Sequence, residues 1–183
     1  RLSRGLGDVY KRQDITTGPV IDKRAFQKIK GLIEDAVMNG AKLLVGGNRP
    51  KYLKKGYYIS PTVLCDVTKK MQVYQQETFG PIVSLISFSE ETNLLNMAND
   101  CDEGGLTAYI FTTNQTRAEF YASKLRYGEI QINGVKYDID LPHGGIGQSG
   151  IGHDCSSLAL QDYLIQKRIT CSNNTYELGK AIS

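Results

Sequence analysis

Glu77 and Phe79 stand two residues apart in Glu77-Thr78-Phe79-Gly80-Pro81, immediately before a sharp turn and an apolar run. Residues two apart on an extended segment project the same way. A carboxylate accepts hydrogen bonds from sugar hydroxyls and an aromatic ring lies against a flat heterocycle, so the two together have the chemistry of a clamp on a nucleotide-type cofactor. Gly80-Pro81 would fix that pose. The alternative is a plain turn leading into a strand at Ile82, because Gly-Pro pairs mark loops generally.

Two further segments carry chemistry. Leu141 to Gly152 (LPHGGIGQSGIG) holds five glycines in twelve positions and joins a strand to a helix. Its glycines fit neither a dinucleotide fingerprint nor a P-loop, so the segment reads as a conformational loop beside a site. Cys155 follows His153 and Asp154 near a predicted helix start, where the positive end of the dipole lowers a thiol pKa. That placement allows a thiol hydrolase. Against it, a catalytic base normally arrives from elsewhere in the fold, and His143 is the other histidine of the chain. The structural alternative is that His153 and Asp154 form a helix start.

The remaining composition bounds the class. With 40% hydrophobic and 22% charged residues, the 183-residue chain has enough apolar bulk for one ordinary core. Ser3 to Gln13 (SRGLGDVYKRQ) resembles a translated sequencing-library adapter, and residues 1–13 are set aside as non-native. In that segment Arg1, Arg4, Lys11 and Arg12 against Asp8 contribute +3, the whole formal net charge. The remainder is neutral, which argues against nucleic acid or an anionic membrane as partner. An adapter at the start also implies the C-terminal part of a longer protein. No apolar run approaches a membrane span. Cys65, Cys101, Cys155 and Cys171 are scattered without CxxC or Cys/His spacing, so neither a disulfide framework nor a metal site is expected, and reduced thiols in a cytoplasmic protein are the default.

The elements that must position these segments alternate in type. Asp22 opens a helical pattern that places Phe26, Ile29, Leu32, Ile33, Ala36 and Val37 on one face and ends at Gly40. Residues 41–45 read as a strand, 57–67 as an extended segment broken at Pro61, and 69–76 as a short helix. Pro81 to Phe88 reads as a strand covered on both faces. A helix over 90–100, a strand over 106–112, a helix over 115–126 and a strand over 129–133 follow. The pattern predicts an α/β fold with a largely parallel sheet and flanking helices. A last helix is expected from Cys155 to Leu164 and a strand from Gln166 to Cys171.

Taken together, ETFGP, the strand and helix run, YGEIQIN (127–133), LPHGGIGQSGIG (141–152) and LALQDYLIQKRIT (158–170) resemble the C-terminal portion of the aldehyde dehydrogenase superfamily, from Gly18 to about Cys171. The resemblance implies that Glu77 binds the nicotinamide ribose hydroxyls of NAD or NADP and that Phe79 packs beside the nicotinamide. It implies substrate contact by Asn133, which closes the G-x-x-x-x-N strand, and by His143, where family members often carry Phe; the structural alternatives are that Asn133 hydrogen-bonds the turn after its strand and that His143 is a loop residue satisfied by backbone. The loop Gly134 to His143 would wall the aldehyde pocket. Lys136, Tyr137 and Asp138 would select the substrate, with a preference for a small hydroxylated or carboxylated aldehyde such as lactaldehyde or succinate semialdehyde.

The family mechanism needs a thiolate to attack the aldehyde, hydride transfer to NAD(P)+ and a base-activated water. By the resemblance, nucleophile, base and nucleotide domain lie upstream, so the chain alone is expected to be inactive. Residues 14–152 would be part of the catalytic domain. Residues 153–183 would supply a helix, an oligomerisation strand and a tail, making the intact parent a dimer or tetramer; a noncatalytic oligomerisation module is the third reading.

Overall fold

A computed structural model describes residues 17–100 and 103–170. Residues 1–13, Cys101 and Cys171 lie outside the described residues. Helix α1, Lys23–Met38, starts where the Asp22 carboxylate accepts the Ala25 N–H at 2.7 Å. It buries Ile29, Leu32, Ile33 and Ala36, the stripe read from the sequence, while Val37 at its edge stays exposed. Strands β1 (Lys42–Val45) and β2 (Thr62–Cys65) pair antiparallel, and β2 pairs parallel with β3 (Ile82–Ser84). The short helix α2, Gln72–Gln75, is capped across the fold by Asp35 of α1, whose carboxylate accepts the Gln72 N–H at 2.9 Å.

Two apolar clusters hold this half together. Ala36, Ala41, Leu64, Val67, Met71 and Val73 form one; Ile29, Ile33 and Ile59 form the other, and Ile82 packs against both. Thr62 is buried among them with its hydroxyl satisfied: it donates to Ser60 O at 2.8 Å and accepts the Gly47 N–H at 2.9 Å.

Helix α3 (Glu91–Ala98) leads to a second parallel pair, β4 (Thr107–Ile110) and β5 (Glu129–Ile132), joined by helix α4 (Gln115–Lys124). Asn114 caps α4 by accepting the Arg117 N–H at 2.9 Å, and Ala118 and Tyr121 bury its inner face. The α/β alternation and the parallel pairs agree with the sequence. The single sheet divides: β1-β2-β3 is one sheet and β4-β5 another.

Three elements differ from expectation. The apolar run 81–88 pairs only over Ile82–Ser84, because β2 offers four residues to pair with; Val83 is 55% exposed rather than covered on both faces. The helix expected over 155–164 is a 3-10 helix, Ser157–Tyr163, capped by Ser156, whose hydroxyl accepts the Leu158 N–H at 3.1 Å. The strand expected over 166–171 takes no ladder partner within its described part, and residues 164–170 are exposed. A strand needs a neighbour to satisfy its N–H and C=O groups, and none among the described residues pairs with this segment.

Candidate functional site

Glu77 and Phe79 lie in the connection between α2 and β3, and three contacts fix their backbone. Lys28 of α1 donates to Glu77 O at 2.9 Å, and its ammonium stands 5.8 Å from the centre of the Phe79 ring. The Glu77 N–H donates to the Glu103 carboxylate at 2.7 Å. Gly80 presses on α1 so closely that a methyl there would lie 2.4 Å from Ile29 Cδ1. Phe79 has φ +47°, so the segment is a shaped turn and not the regular extended stretch expected from the two-residue spacing. The ring is 74% exposed. The Glu77 carboxylate is exposed too and has no hydrogen bond or ion pair among the described residues. An exposed ring beside a free carboxylate, on a pinned loop, leaves both groups available to a ligand.

Asn133 ends β5 with φ +53°, a conformation Asn tolerates better than most residues. Its amide bonds the Thr112 backbone twice: Oδ1 accepts the Thr112 N–H and Nδ2 donates to Thr112 O, both at 2.8 Å. With its own N–H donating to Ile110 O at 2.8 Å, Asn133 ties the end of β5 to the end of β4 and sets where the loop 134–142 departs.

That loop and β5 enclose a cleft of about 320 Å³ whose lining includes Glu129, Gln131, Lys136, Tyr137, Asp138 and His143. His143 Nδ1 lies 3.0 Å from Glu129 Oε2, and its backbone exchanges two hydrogen bonds with Asp154, at 2.8 and 2.7 Å. Glu129 also accepts from Gln131 and, at 3.3 Å, from the Thr107 hydroxyl. These bonds, Gln131 first and then His143 and Thr107, hold its carboxyl below the ordinary range against the opposing effect of partial burial. Lys136 donates to Asp138 at 2.9 Å and holds that carboxyl low as well. Sequence reasoning missed Glu129. The signal was its phase: residues 129 and 131 share one face of β5 with Thr107 opposite, so both point at the loop that follows.

Cys155 is not at the start of an α-helix. It has φ +62° and sits one residue before the Ser156 cap, and its thiol meets the Tyr137 hydroxyl at 2.9 Å, raising the Tyr137 pKa through that hydrogen bond. The helix-start role read for His153 and Asp154 belongs to Ser156. The His153 N–H instead donates to Asp162 at 3.4 Å, and the imidazole of His143 turns to Glu129 and not to the thiol. Cys65 and Cys155 are both free thiols. Among the described residues, no group of three or more His, Cys, Asp or Glu could hold a metal ion, and no helix is long and apolar enough to cross a membrane.

Comparison with known proteins identifies the family. The chain is 36% identical over 154 residues to peroxisomal aminoaldehyde dehydrogenase 1 of Pisum sativum, covering 84% of the chain and 30% of that relative. It is 40% identical over 158 residues to glutarate-semialdehyde dehydrogenase of Pseudomonas putida, covering 86% and 32%. Its fold matches the crystal structure of Mycobacterium tuberculosis aldehyde dehydrogenase complexed with NAD+ with a TM-score of 0.78 at 31% identity, covering 84% of the chain and 32% of that structure. The chain thus spans about a third of the length of the proteins it matches. Residues 4–169 match the sequence profile of the Aldehyde dehydrogenase family, a match that begins inside the segment 1–13. The turn at residues 77–81, the β5 loop and the glycine-rich segment therefore stand in one continuous match, and the chain belongs to the aldehyde dehydrogenase family.

Proposed function

We propose that this chain supplies the cofactor clamp and part of the aldehyde pocket of an NAD(P)-dependent aldehyde dehydrogenase, which oxidises an aldehyde to a carboxylic acid. The observation that carries the reading is the clamp turn: the Glu77 carboxylate has no protein partner among the described residues, the Phe79 ring is exposed, and α1 and Glu103 pin the backbone between them. Those residues fit a nicotinamide nucleotide. A carboxylate takes ribose hydroxyls and a ring takes a heterocycle face, and neither must first break a bond inside the protein.

When bound, the nicotinamide accepts the hydride that leaves the substrate carbon. Glu77 and Phe79 restrict where its ribose and ring sit, which is an effect of position and not of proton transfer. Asn133 sets the departure of the loop 134–142, and His143 borders the cleft that loop encloses. The thiol nucleophile and the general base are assigned to the part of the intact protein beyond this match, so the chain alone is expected not to oxidise aldehydes. Polar side chains in the cleft, Gln131, Lys136, Asp138 and His143 beside the apolar Ile130, Leu141 and Pro142, support a small hydroxylated or carboxylated aldehyde, and the relatives named for aminoaldehydes and glutarate semialdehyde act on polar aldehydes. Residues 164–170, exposed and without a ladder partner among the described residues, are suited to strand pairing with another subunit.

A chimera tests the reading. Residues 17–170 replace the matching third of the Pseudomonas putida enzyme, and NAD(P)H formation is followed by absorbance across a panel of aldehydes. Aldehyde-dependent turnover that survives Cys155→Ser is expected. A folded chimera inactive on every aldehyde, or one silenced by Cys155→Ser, would contradict it.

A further inference from the structure

Glu129 lies on β5 directly beside Thr107 of β4, and its carboxylate is held from three sides: by the Thr107 hydroxyl, by Gln131 two residues along the same face, and by His143 Nδ1. The His143 backbone cannot drift away from it. Besides the paired bonds to Asp154, the next residue packs so tightly on the start of β5 that a methyl at Gly128 would meet Gly144 O at 1.7 Å. The Tyr137 ring closes the other side, edge-on at 6.1 Å. An ionised carboxylate only accepts hydrogen bonds, so the imidazole nitrogen that faces it carries a proton. In the neutral ring the second nitrogen then has a lone pair, and it has no hydrogen-bond partner among the described residues.

We propose that Glu129 is a positioning residue that locks His143 as the Nδ1–H tautomer, so that Nε2 accepts a hydrogen bond from a hydroxyl group on the substrate. The claim rests on the aldehyde dehydrogenase reading for the word substrate, while the pairing stands on the geometry alone. It narrows the substrate class to aldehydes that carry a hydroxyl group near the reacting carbon. Glu129 touches no reacting atom and acts only through His143.

The 183-residue chain contains two histidines, His143 and His153, which makes the tautomer directly readable. In the 15N-labelled chain, long-range proton–nitrogen spectra of the neutral form should show His143 as Nδ1–H. Glu129→Gln, whose amide oxygen still accepts, should retain that pattern, Glu129→Leu should move His143 toward Nε2–H, and His153 should not change. Finding His143 as Nε2–H in the unsubstituted chain overturns the proposal without any variant. So does an Nδ1–H pattern that persists in a folded Glu129→Leu protein. In the chimera, the ratio of kcat/KM for lactaldehyde over propanal should fall roughly tenfold, the size of one hydrogen bond, in both Glu129→Leu and His143→Phe. An unchanged ratio in both would remove the substrate role. A chimera inactive on every aldehyde, with the tautomer as stated, would refute the dehydrogenase reading and leave the pairing supported.

Discussion

Gly80→Ala tests how the clamp turn is seated on α1. The added methyl would lie 2.4 Å from Ile29 Cδ1 and 2.9 Å from Ile29 Cγ1, where carbon atoms at rest stand about 3.5–4.0 Å apart. Ile29 is fully buried, packed in the cluster with Ile33 and Ile59, so its side chain has no open direction in which to retreat. Overpacking of this kind costs about 1–3 kcal/mol, and an overlap of an ångström against a residue with no free side places the expectation near 2 kcal/mol. Ile29→Val deletes the atom in closest contact at a cost of its own of about 0.5–1.5 kcal/mol. The double variant should therefore be more stable than the sum of the two single losses, by about 1 kcal/mol. Urea unfolding followed by far-UV circular dichroism, with the slope unchanged between variants, measures all three. A Gly80→Ala protein within about 0.5 kcal/mol of the parent chain, or a strictly additive double variant, would refute the contact as the thing that seats the turn.

Asn133→Ala removes both bonds to the Thr112 backbone and leaves a non-glycine residue at φ +53°, so a loss of about 1–3 kcal/mol is expected in the same urea assay. Asn133→Gly should recover the backbone part of that loss and not the rest; equal losses in the two would contradict a strain component. Glu129 titrates below its ordinary value of 4.5 in the folded chain, so its contribution to stability is present above that value and lost as pH falls through the lower, folded value. The urea midpoint should accordingly fall as the pH drops below about 4.5, and more shallowly in Glu129→Gln; identical pH profiles would remove the Gln131, His143 and Thr107 bonds as the cause.

The elements legible in the sequence were those whose signals are local. Helix α1 was readable from Asp22 as cap and from the spacing of Ile29, Leu32, Ile33 and Ala36, since the helical period alone decides which side is buried. The β4-α4-β5 unit was readable from two short apolar runs separated by a stretch of helical period, while its Asn114 cap was not read. The run 81–88 failed because apolar composition marks burial and not pairing length, which β2 limits to three positions in the parallel ladder. The segment after Leu164 failed for the same reason in stronger form, because a strand is defined by its neighbour. At the site, the residue types of Glu77 and Phe79 were visible, but the positive φ at Phe79 and the anchors Lys28 and Glu103 come from positions 49 and 26 residues from Glu77. Glu129 was hidden by its place in a strand, where only the facing of its side chain toward His143 gives it a role.

The most direct test of the clamp compares two reactions of one chimeric protein. Aldehyde dehydrogenase nucleophiles also hydrolyse activated esters, a reaction without hydride transfer, so a residue that positions only the cofactor separates the two activities. In the chimera, Glu77→Gln should lower NAD(P)+-dependent aldehyde oxidation by at least about tenfold while the ester hydrolysis rate, measured without cofactor, stays within about twofold. Equal loss of both rates in a folded Glu77→Gln protein would contradict the clamp and make Glu77 a structural part of the turn.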